Sequence, residues 1–331
     1  MKIKELNQNI KKIVRETGFN IDKEIYRGVY YSKDNLRNII YSGVYQNKLA
    51  ILKFYDDPRI TDEPTSLYSF LKSNKSKIIT APKIYKKEIL SASRGWFIAE
   101  KIPVDFSNYN TPLDKKERKE FLNVYLEYRK NFPKKPTRKL LHLEKLSPDN
   151  FHVFRINRWF ELTQKVEAER MVQKKSLFLD DGFIVLYEKA IEAIRKEFKN
   201  RKMIWCHGHF KPHEIFTDKK RSKYYLIDFA HTAMFPEGYE LAFIIWSDYL
   251  MADKKWNLSY NKWKGGVDDW LIDLEKVANS LGLKKYKSLL RVSLMERVLG
   301  TILTDITASD RTDVKKKNGI KLMKKLLEEI L

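Results

Sequence analysis

Two stretches in the second half of the chain hold side chains that could bind a metal ion and handle a proton. Residues 207–216 form a polar loop that contains three histidines, a glutamate and an early glycine. Residues 224–227 form an apolar run that delivers Asp228 at its end. A carboxylate among apolar neighbours is costly to bury unless it binds something. Asp228 is therefore the best candidate metal ligand, and the alternative is an Asp bonded only to backbone amides.

A lysine and a glutamate in the first part of the chain could form the other half of such a site. Lys53 ends the apolar run 49–52, and a buried strand rarely ends inward on an unpaired charge. Glu63 follows ten residues later at the start of a predicted helix and could be its partner. The alternatives are that Lys53 is one of many surface lysines and that Glu63 marks an ordinary helix N-terminus.

The elements that must position these residues begin with a small sheet. Apolar residues spaced by three and four predict an amphipathic helix over residues 1–18, ended by Gly18. Turn-forming residues at 32–35 and 46–47 separate three β-type runs, which predicts an antiparallel meander. A helix and two further strands complete this group. The predicted strands are residues 25–31, 39–45, 49–55, 83–90 and 95–99, and the helix is residues 62–71.

Helical periodicity dominates after residue 102, interrupted by a β-rich stretch over residues 203–229 that carries the polar loop. We therefore predict an α+β fold in two lobes. The N-terminal lobe, residues 1–102, has a leading helix, a five-stranded antiparallel sheet and one helix. The C-terminal lobe, residues 103–331, is larger and mainly helical, with a catalytic-loop hairpin. Its predicted helices are residues 116–129, 158–173, 181–198, 268–281, 284–305 and 315–331.

The order and spacing of these motifs resemble the aminoglycoside phosphotransferase and choline kinase families. Those families carry the loop H-G-D-x-x-x-x-N, followed by a strand that ends in I-D-F or I-D-W. Residues 207–215 and 227–229 are similar to that pattern, and residues 50–53 resemble the families' lysine strand. Residues 238–242 resemble a later G-x-D-L-A element, with Glu240 in place of its Asp. Residues 81–82, 100–103 and 297–300 also fit, so the resemblance spans roughly residues 20–300.

The resemblance implies a two-lobed, protein-kinase-like fold. It also implies transfer of phosphate from ATP, with Mg2+, to a hydroxyl group of a small molecule. By the same resemblance, Lys53 would contact the phosphates of the nucleotide and Glu63 would orient Lys53. Glu100 and Ile102, at the junction of the lobes, would contribute to the nucleotide site.

The loop departs from the families' pattern at the residues nearest the chemistry. His209 stands at the catalytic Asp position, Glu214 stands at the metal-binding Asn position, and the turn 32–35 has no glycine. The resemblance still implies that Asp228 and Glu214 hold magnesium, since carboxylate oxygens suit that ion. His209 would face the acceptor hydroxyl, because an imidazole with a reference pKa of about 6.5 can accept a proton near neutral pH. The alternative is a pseudokinase, a nucleotide-binding or scaffold module without turnover.

Four of the six histidines lie within residues 207–231, so a transition-metal site is a further alternative. His207 and His209 would point to one side of an extended segment, with Glu214 and Asp228 nearby. Against this, the resembling families have a structural histidine at the position of His207. A zinc site also needs three or four convergent ligands.

Composition limits the partners and the location. The chain has 65 Lys and Arg against 43 Asp and Glu, a formal net charge of +22, which favours anionic partners such as a nucleotide or a nucleic acid. The lysines are scattered, which is also typical of an ordinary solvated surface. No apolar run approaches the roughly 20 residues of a membrane span, and the N-terminus lacks a signal-peptide pattern. One cysteine cannot form an internal disulfide, so we predict a cytoplasmic protein.

Overall fold

The first part of the molecule is a sheet with one helix on either side. The computed structural model describes residues 3–29, 36–103, 109–136, 145–220, 222–252, 258–308 and 312–331. Its first elements are α1 (Ile3–Thr17), β1 (Asn20–Val29), β2 (Leu36–Tyr45), β3 (Lys48–Asp56), α2 (Glu63–Ser73), β4 (Ile79–Thr80), β5 (Ile84–Ile89) and β6 (Arg94–Glu100). Five of these strands pair antiparallel in the order β1–β2–β3–β6–β5. The predicted meander is confirmed.

Alternation along β3 directs its side chains to two sides of the sheet. Leu52 and Phe54 are fully buried in one cluster with Leu6 and Ile10 of α1. Lys53, between them in sequence, therefore points to the opposite side, toward α2. The position of Lys53 follows directly from this alternation.

The turns of this part agree with the sequence patterns where they are described. Gln46 and Asn47 have φ values of 49° and 61°, as a tight two-residue hairpin turn requires. Gly18, with φ of +71°, ends α1. The predicted turn at 32–35 lies outside the described residues. The prediction that the first strand begins at residue 25 was wrong, because β1 begins at Asn20.

Helices make up most of the second part. They are α3 (Lys115–Asn131), α4 (Pro148–Val172), α5 (Asp181–Phe198), α6 (Tyr239–Ile245), α7 (Tyr260–Ser280), α8 (Tyr286–Thr307) and α9 (Asp313–Ile330). α4 and α7 begin about ten and eight residues before the predicted starts, and α6 was not predicted as a helix. α9 buries Met323, Leu326 and Leu327, so it docks on the helical core. Among the described helices, none combines the length and the apolarity needed to cross a bilayer.

Four short strands position the polar loop. They are β7 (Met203–Cys206), β8 (Ile215–Asp218), β9 (Lys223–Leu226) and β10 (Ala233–Pro236). β8 and β9 form the predicted hairpin, β7 pairs with β10, and β4 adds to β9 in parallel. Cys206 is fully buried at the end of β7, and burial raises the pKa of its thiol well above the usual value. Through β4 the chain segment between α2 and β5 is joined to the hairpin.

Candidate functional site

A buried ion pair joins the sheet to α2. Nζ of Lys53 lies 2.6 Å from Oε2 of Glu63, and the two residues are only 6% and 4% exposed. Burial alone would lower the pKa of Lys53, but the charges of Glu63 and Asp228 outweigh it and raise this pKa. Lys53 is therefore a fixed cation.

Buried hydrogen bonds hold the start of the polar loop. The Nε2 of His207 donates to the carbonyl oxygen of Ile227 at 2.8 Å, and burial lowers the pKa of this histidine to about 4. The backbone amide of His207 donates to the hydroxyl of Tyr128 at 2.7 Å. The next amide, that of Gly208, donates to Oε1 of Glu240 at 2.8 Å. His207 is thus a neutral residue that ties the loop to the residue that follows β9.

Gly208 makes the sharp turn of this loop. Its φ is +77°, and a β-carbon there would lie 2.3 Å from the ring of Phe235 and 2.6 Å from the carbonyl oxygen of His231. Glu240, at the start of α6, also accepts a hydrogen bond from the hydroxyl of Tyr128 at 3.0 Å. The Glu240 carboxylate therefore fixes the start of the loop by accepting hydrogen bonds from Gly208 and Tyr128. Sequence reasoning noted Glu240 in its motif but did not place it at the site.

Two carboxylates converge on His209. Its Nδ1 lies 2.8 and 2.9 Å from the two carboxylate oxygens of Glu214 and 3.3 Å from Oδ2 of Asp228. Nζ of Lys211 lies 3.0 Å from Oε1 of Glu214. Burial opposes a charge on His209, but the hydrogen bonds to Asp228 and Glu214 outweigh burial and raise its pKa. The residue at the catalytic Asp position is therefore engaged with both candidate magnesium ligands.

Asp228 follows β9 in a left-handed conformation, with φ of 59° and ψ of 53°. Burial would raise the pKa of its carboxyl, but the hydrogen bond to His209 and the charge of Lys53 hold that pKa well below its usual range. Asp228 is thus an anion, and its charge interacts favourably with that of Lys53 on the sheet. The left-handed turn also brings the next residues back toward the loop.

His231 belongs to the short helical turn Phe229–His231 that follows Asp228. Its ring stacks on the ring of His209, with centroids 4.2 Å apart and an interplanar angle of 25°. Its Nε2 lies 3.7 Å from Oδ2 of Asp228, and burial lowers the pKa of His231 to about 3. His231 is therefore a neutral imidazole beside the carboxylate.

A cavity of about 600 Å3 lies between the sheet and the helical part. It brings together all seven residues that the sequence predicted for the site. They are Lys53, Glu63, Glu100, Ile102, His209, Glu214 and Asp228. Arg37, Lys211 and His231 also line the cavity, and they were absent from the predicted site. The cluster of histidines was the only sequence signal for His231, and no motif marked Arg37.

The lining fits a nucleotide and a divalent cation. The volume of the cavity is in the range of small-molecule sites, and apolar side chains such as Ile51 and Phe97 line it together with the charged groups. The strand end at Glu100 is fixed, since its amide donates to the carbonyl of Lys83 at 2.8 Å. The carboxylates of Asp228 and Glu214 converge on one ring nitrogen. Carboxylate oxygens are the donor type that magnesium takes.

The whole chain resembles solved phosphotransferase structures, although no family model and no curated protein matches it. One is a thermostable mutant of the aminoglycoside phosphotransferase APH(4)-Ia with ADP and hygromycin B, with 12% identity, a TM-score of 0.54, and 97% of this chain and 96% of that chain covered. Another is spectinomycin phosphotransferase APH(9)-Ia with ADP and spectinomycin, with 13% identity, a TM-score of 0.53, and 98% and 97% covered. A third is an APH(2″) enzyme with GDP and kanamycin, with 13% identity, a TM-score of 0.54, and 98% of both chains covered. The chain therefore has the two-lobed, kinase-like α+β fold of the aminoglycoside phosphotransferases, as its motifs predicted.

Proposed function

We propose that this protein transfers phosphate from ATP, with a divalent cation such as Mg2+, to a hydroxyl group of a small molecule. One observation carries the proposal. The buried Lys53–Glu63 pair and the anionic Asp228 line one cavity from opposite parts of the chain. A fixed cation and a fixed anion across a cleft are what binding a metal–nucleotide complex requires. In that complex the cation neutralises negative charge on the phosphates.

Lys53 would bind the phosphates, and Glu63 would hold Lys53 in place. Asp228 and Glu214 would hold the cation, and the segment at Glu100 and Ile102 would contact the base of the nucleotide. The proposed boundary between the lobes, at residue 102, falls in this segment.

Arg37 would supply a phosphate contact of its own. It lies at the start of β2, and its Nε donates to Oδ2 of Asp57 at 2.7 Å. Asp57 is 1% exposed, so it holds the guanidinium in one direction at the edge of the cavity. A guanidinium suits phosphate oxygens well. Arg37 could therefore do part of the work that a glycine-rich turn performs through backbone amides.

His209 would orient the acceptor hydroxyl. Its contacts with Glu214 and Asp228 both use Nδ1, so Nε2 is the ring nitrogen that we assign to the acceptor. Phosphoryl transfer depends mainly on positioning and charge stabilisation, with little demand for a strong base. An oriented imidazole can therefore take the place of the Asp.

The test is nucleotide binding and phosphate transfer by the purified chain. We expect ADP with Mg2+ or Mn2+ to raise the melting temperature of the unmodified protein and not that of Asp228→Asn. Asp181→Asn, which removes an exposed carboxylate at the start of α5, is the control and should respond like the unmodified protein. Radiolabelled ATP with sugars, amino alcohols and nucleosides then identifies the acceptor. An unmodified protein that shows neither stabilisation nor turnover would refute the proposal.

The second candidate is a pseudokinase that binds nucleotide without turnover. The observation in its favour is that the His209 ring is engaged with Glu214 and Asp228, where the resembling families have a catalytic Asp. His209→Asp separates the two functions. Transfer that appears only in this variant supports the pseudokinase, whereas transfer that is lost in it supports a working histidine.

A further inference from the structure

His209, Asp228 and His231 form a cluster of three side chains that could bind a metal ion. One atom each from His209, Asp228 and His231 lies within 4.8 Å of the other two. Oδ2 of Asp228 is 3.3 Å from Nδ1 of His209 and 3.7 Å from Nε2 of His231. An ion bonded at about 2.1 Å to each ligand keeps neighbouring ligand atoms about 3.0–3.4 Å apart. The distance from Oδ2 of Asp228 to Nδ1 of His209 falls in this range, and the distance to Nε2 of His231 lies just above it.

The backbone brings the two imidazoles together. His209 follows the turn at Gly208, and His231 follows the left-handed turn at Asp228. These two turns place the rings in a stack beside the same carboxylate. Simple aromatic packing would also stack them, but it would not require that a ring nitrogen of each face Oδ2 of Asp228.

The chemistry of these donors selects among divalent ions. Magnesium takes oxygen ligands and keeps much of its water. Imidazole nitrogens with a carboxylate suit first-row transition ions such as Mn2+, Fe2+ and Zn2+. We infer that the divalent cation of this cleft is a first-row transition ion bound by His209, Asp228 and His231. The inference rests on the proposed function for the role of that ion beside the nucleotide, with coordination positions left for phosphate oxygens.

Calorimetry with metal salts tests the ligand set directly. MnCl2, ZnCl2 and MgCl2 are titrated into the full chain without nucleotide. We expect Mn2+ and Zn2+ to bind at least tenfold more tightly than Mg2+ and His231→Ala to weaken both by at least about tenfold. His213→Ala is the matched control, because His213 is in the same loop but its Nε2 contacts the hydroxyl of Thr111 at 3.1 Å. This control should bind as the unmodified protein does.

Pulsed electron paramagnetic resonance of the Mn2+-loaded protein gives a second readout. Coupling to two imidazole 14N nuclei is expected, reduced to one in His231→Ala and in His231→Gln. Thermal unfolding of both variants in metal-free buffer confirms that they fold, and the Gln variant keeps a polar side chain should the Ala variant fail. Absence of 14N coupling, or equal affinities for Mg2+ and Mn2+, would overturn the inference.

The same data separate this inference from the proposed function. If imidazole-bound Mn2+ is found but ADP neither binds nor is produced from ATP, the metal site stands and the phosphotransferase proposal falls. If ATP is turned over with Mg2+ and no imidazole coordinates the ion, the phosphotransferase proposal stands and the transition-ion inference falls.

Discussion

The Lys53–Glu63 pair is nearly inaccessible to solvent, and each charge is compensated by the other. Removing one partner of a buried pair leaves the other charge uncompensated, which costs about 3–5 kcal/mol. We expect Lys53→Met to lower the free energy of unfolding by this amount and to abolish stabilisation by ADP. Urea unfolding with and without ADP measures both effects, and Lys48→Met, an exposed lysine on the same strand, is the control.

The double variant Lys53→Met/Glu63→Leu separates stability from binding. Replacing both charges with apolar groups removes the uncompensated carboxylate, so most of the lost stability should return. ADP binding should stay lost, because the phosphate contact is absent. ADP stabilisation at the unmodified level in either Lys53 variant would contradict the role of Lys53.

Arg37 and Arg59 form a matched pair, because both guanidiniums bind Asp57 but only Arg37 lines the cavity. Losing a charge-assisted phosphate contact costs about 1.5–3 kcal/mol, or roughly tenfold or more in affinity. We expect Arg37→Met to weaken ADP binding by this factor, and Arg59→Met to leave it within about twofold. Calorimetric titration measures both variants. Equal losses would assign the effect to Asp57 instead.

Asp248 gives a pH dependence that can be assigned to one residue. It is fully buried, accepts hydrogen bonds from the amide of Leu113 and the indole of Trp270, and burial raises its pKa to about 6 from an ordinary value of 3.8. Its folded pKa is above its unfolded pKa, so the folded state loses stability as pH rises from about 4 through 6. The loss is on the order of 2–3 kcal/mol.

Asp248→Asn removes this titration. Urea unfolding at pH 4.5 and pH 7.5 should show the variant gaining stability relative to the unmodified protein at the higher pH, by up to about 2–3 kcal/mol. Other titrating groups act on both proteins and cancel in the difference. A difference that stays constant across this pH range would show that burial does not perturb Asp248.

At the scale of elements, the loop between β7 and β8 depends on one backbone conformation. Gly208→Ala would place a β-carbon against Phe235 and the carbonyl of His231 at a positive φ. We expect a loss of about 1–3 kcal/mol in unfolding free energy and a displaced His209. Thermal melts and Mn2+ binding measure the two effects. Gly265→Ala, in open space within α7, should instead raise stability by up to about 1 kcal/mol.

Sequence patterns predicted the long elements and missed the short ones for physical reasons. β3 could be predicted because Leu52 and Phe54 alternate with Lys53, which fixes both the strand and the side of the lysine. The predicted start of α7 was too late, because the two glycines at 265–266 resemble the end of a helix although they lie inside α7. Gly266 lies against the hydroxyl of Tyr249, where a β-carbon would not fit. β4, with two residues, is too short to show any period.

The same limit applies to the site. Lys53 could be predicted because it is a charge within an apolar strand, where it needs a partner. Glu63 and Asp228 could be predicted because each stands close to the end of a helix or a strand. His231 could not be paired with His209 from sequence, since their contact depends on the left-handed backbone at Asp228. Arg37 is fixed by Asp57, twenty residues away on another strand end, and no local pattern reports that pairing.

At the scale of the whole molecule, the excess positive charge lies outside the cavity. Four basic side chains that line it (Arg37, Lys53, Lys101 and Lys211) are balanced by four acidic ones (Glu63, Glu100, Glu214 and Asp228). The formal charge of +22 therefore belongs to other surfaces. Any binding of nucleic acid, which the charge alone suggested, would use those surfaces and would be strongly dependent on salt.

This separation predicts two different salt responses. We expect ADP affinity to change by less than about threefold between 50 and 300 mM NaCl, because buried and balanced charges are poorly screened. Duplex DNA, if it binds, should lose affinity over several decades in the same range. Fluorescence titrations with both ligands measure the two slopes. Parallel steep slopes would place the nucleotide on the basic surface instead of in the cavity.

The buried thiol of Cys206 allows the rate of local opening in the protein interior to be measured. It is the only cysteine in the sequence, it lies immediately before His207, and its partner across the strand pair is Ala233. A thiol reagent can reach its buried sulfur only when the structure around Cys206 opens. The rate of alkylation under native conditions therefore reports how often the protein opens locally beside the polar loop.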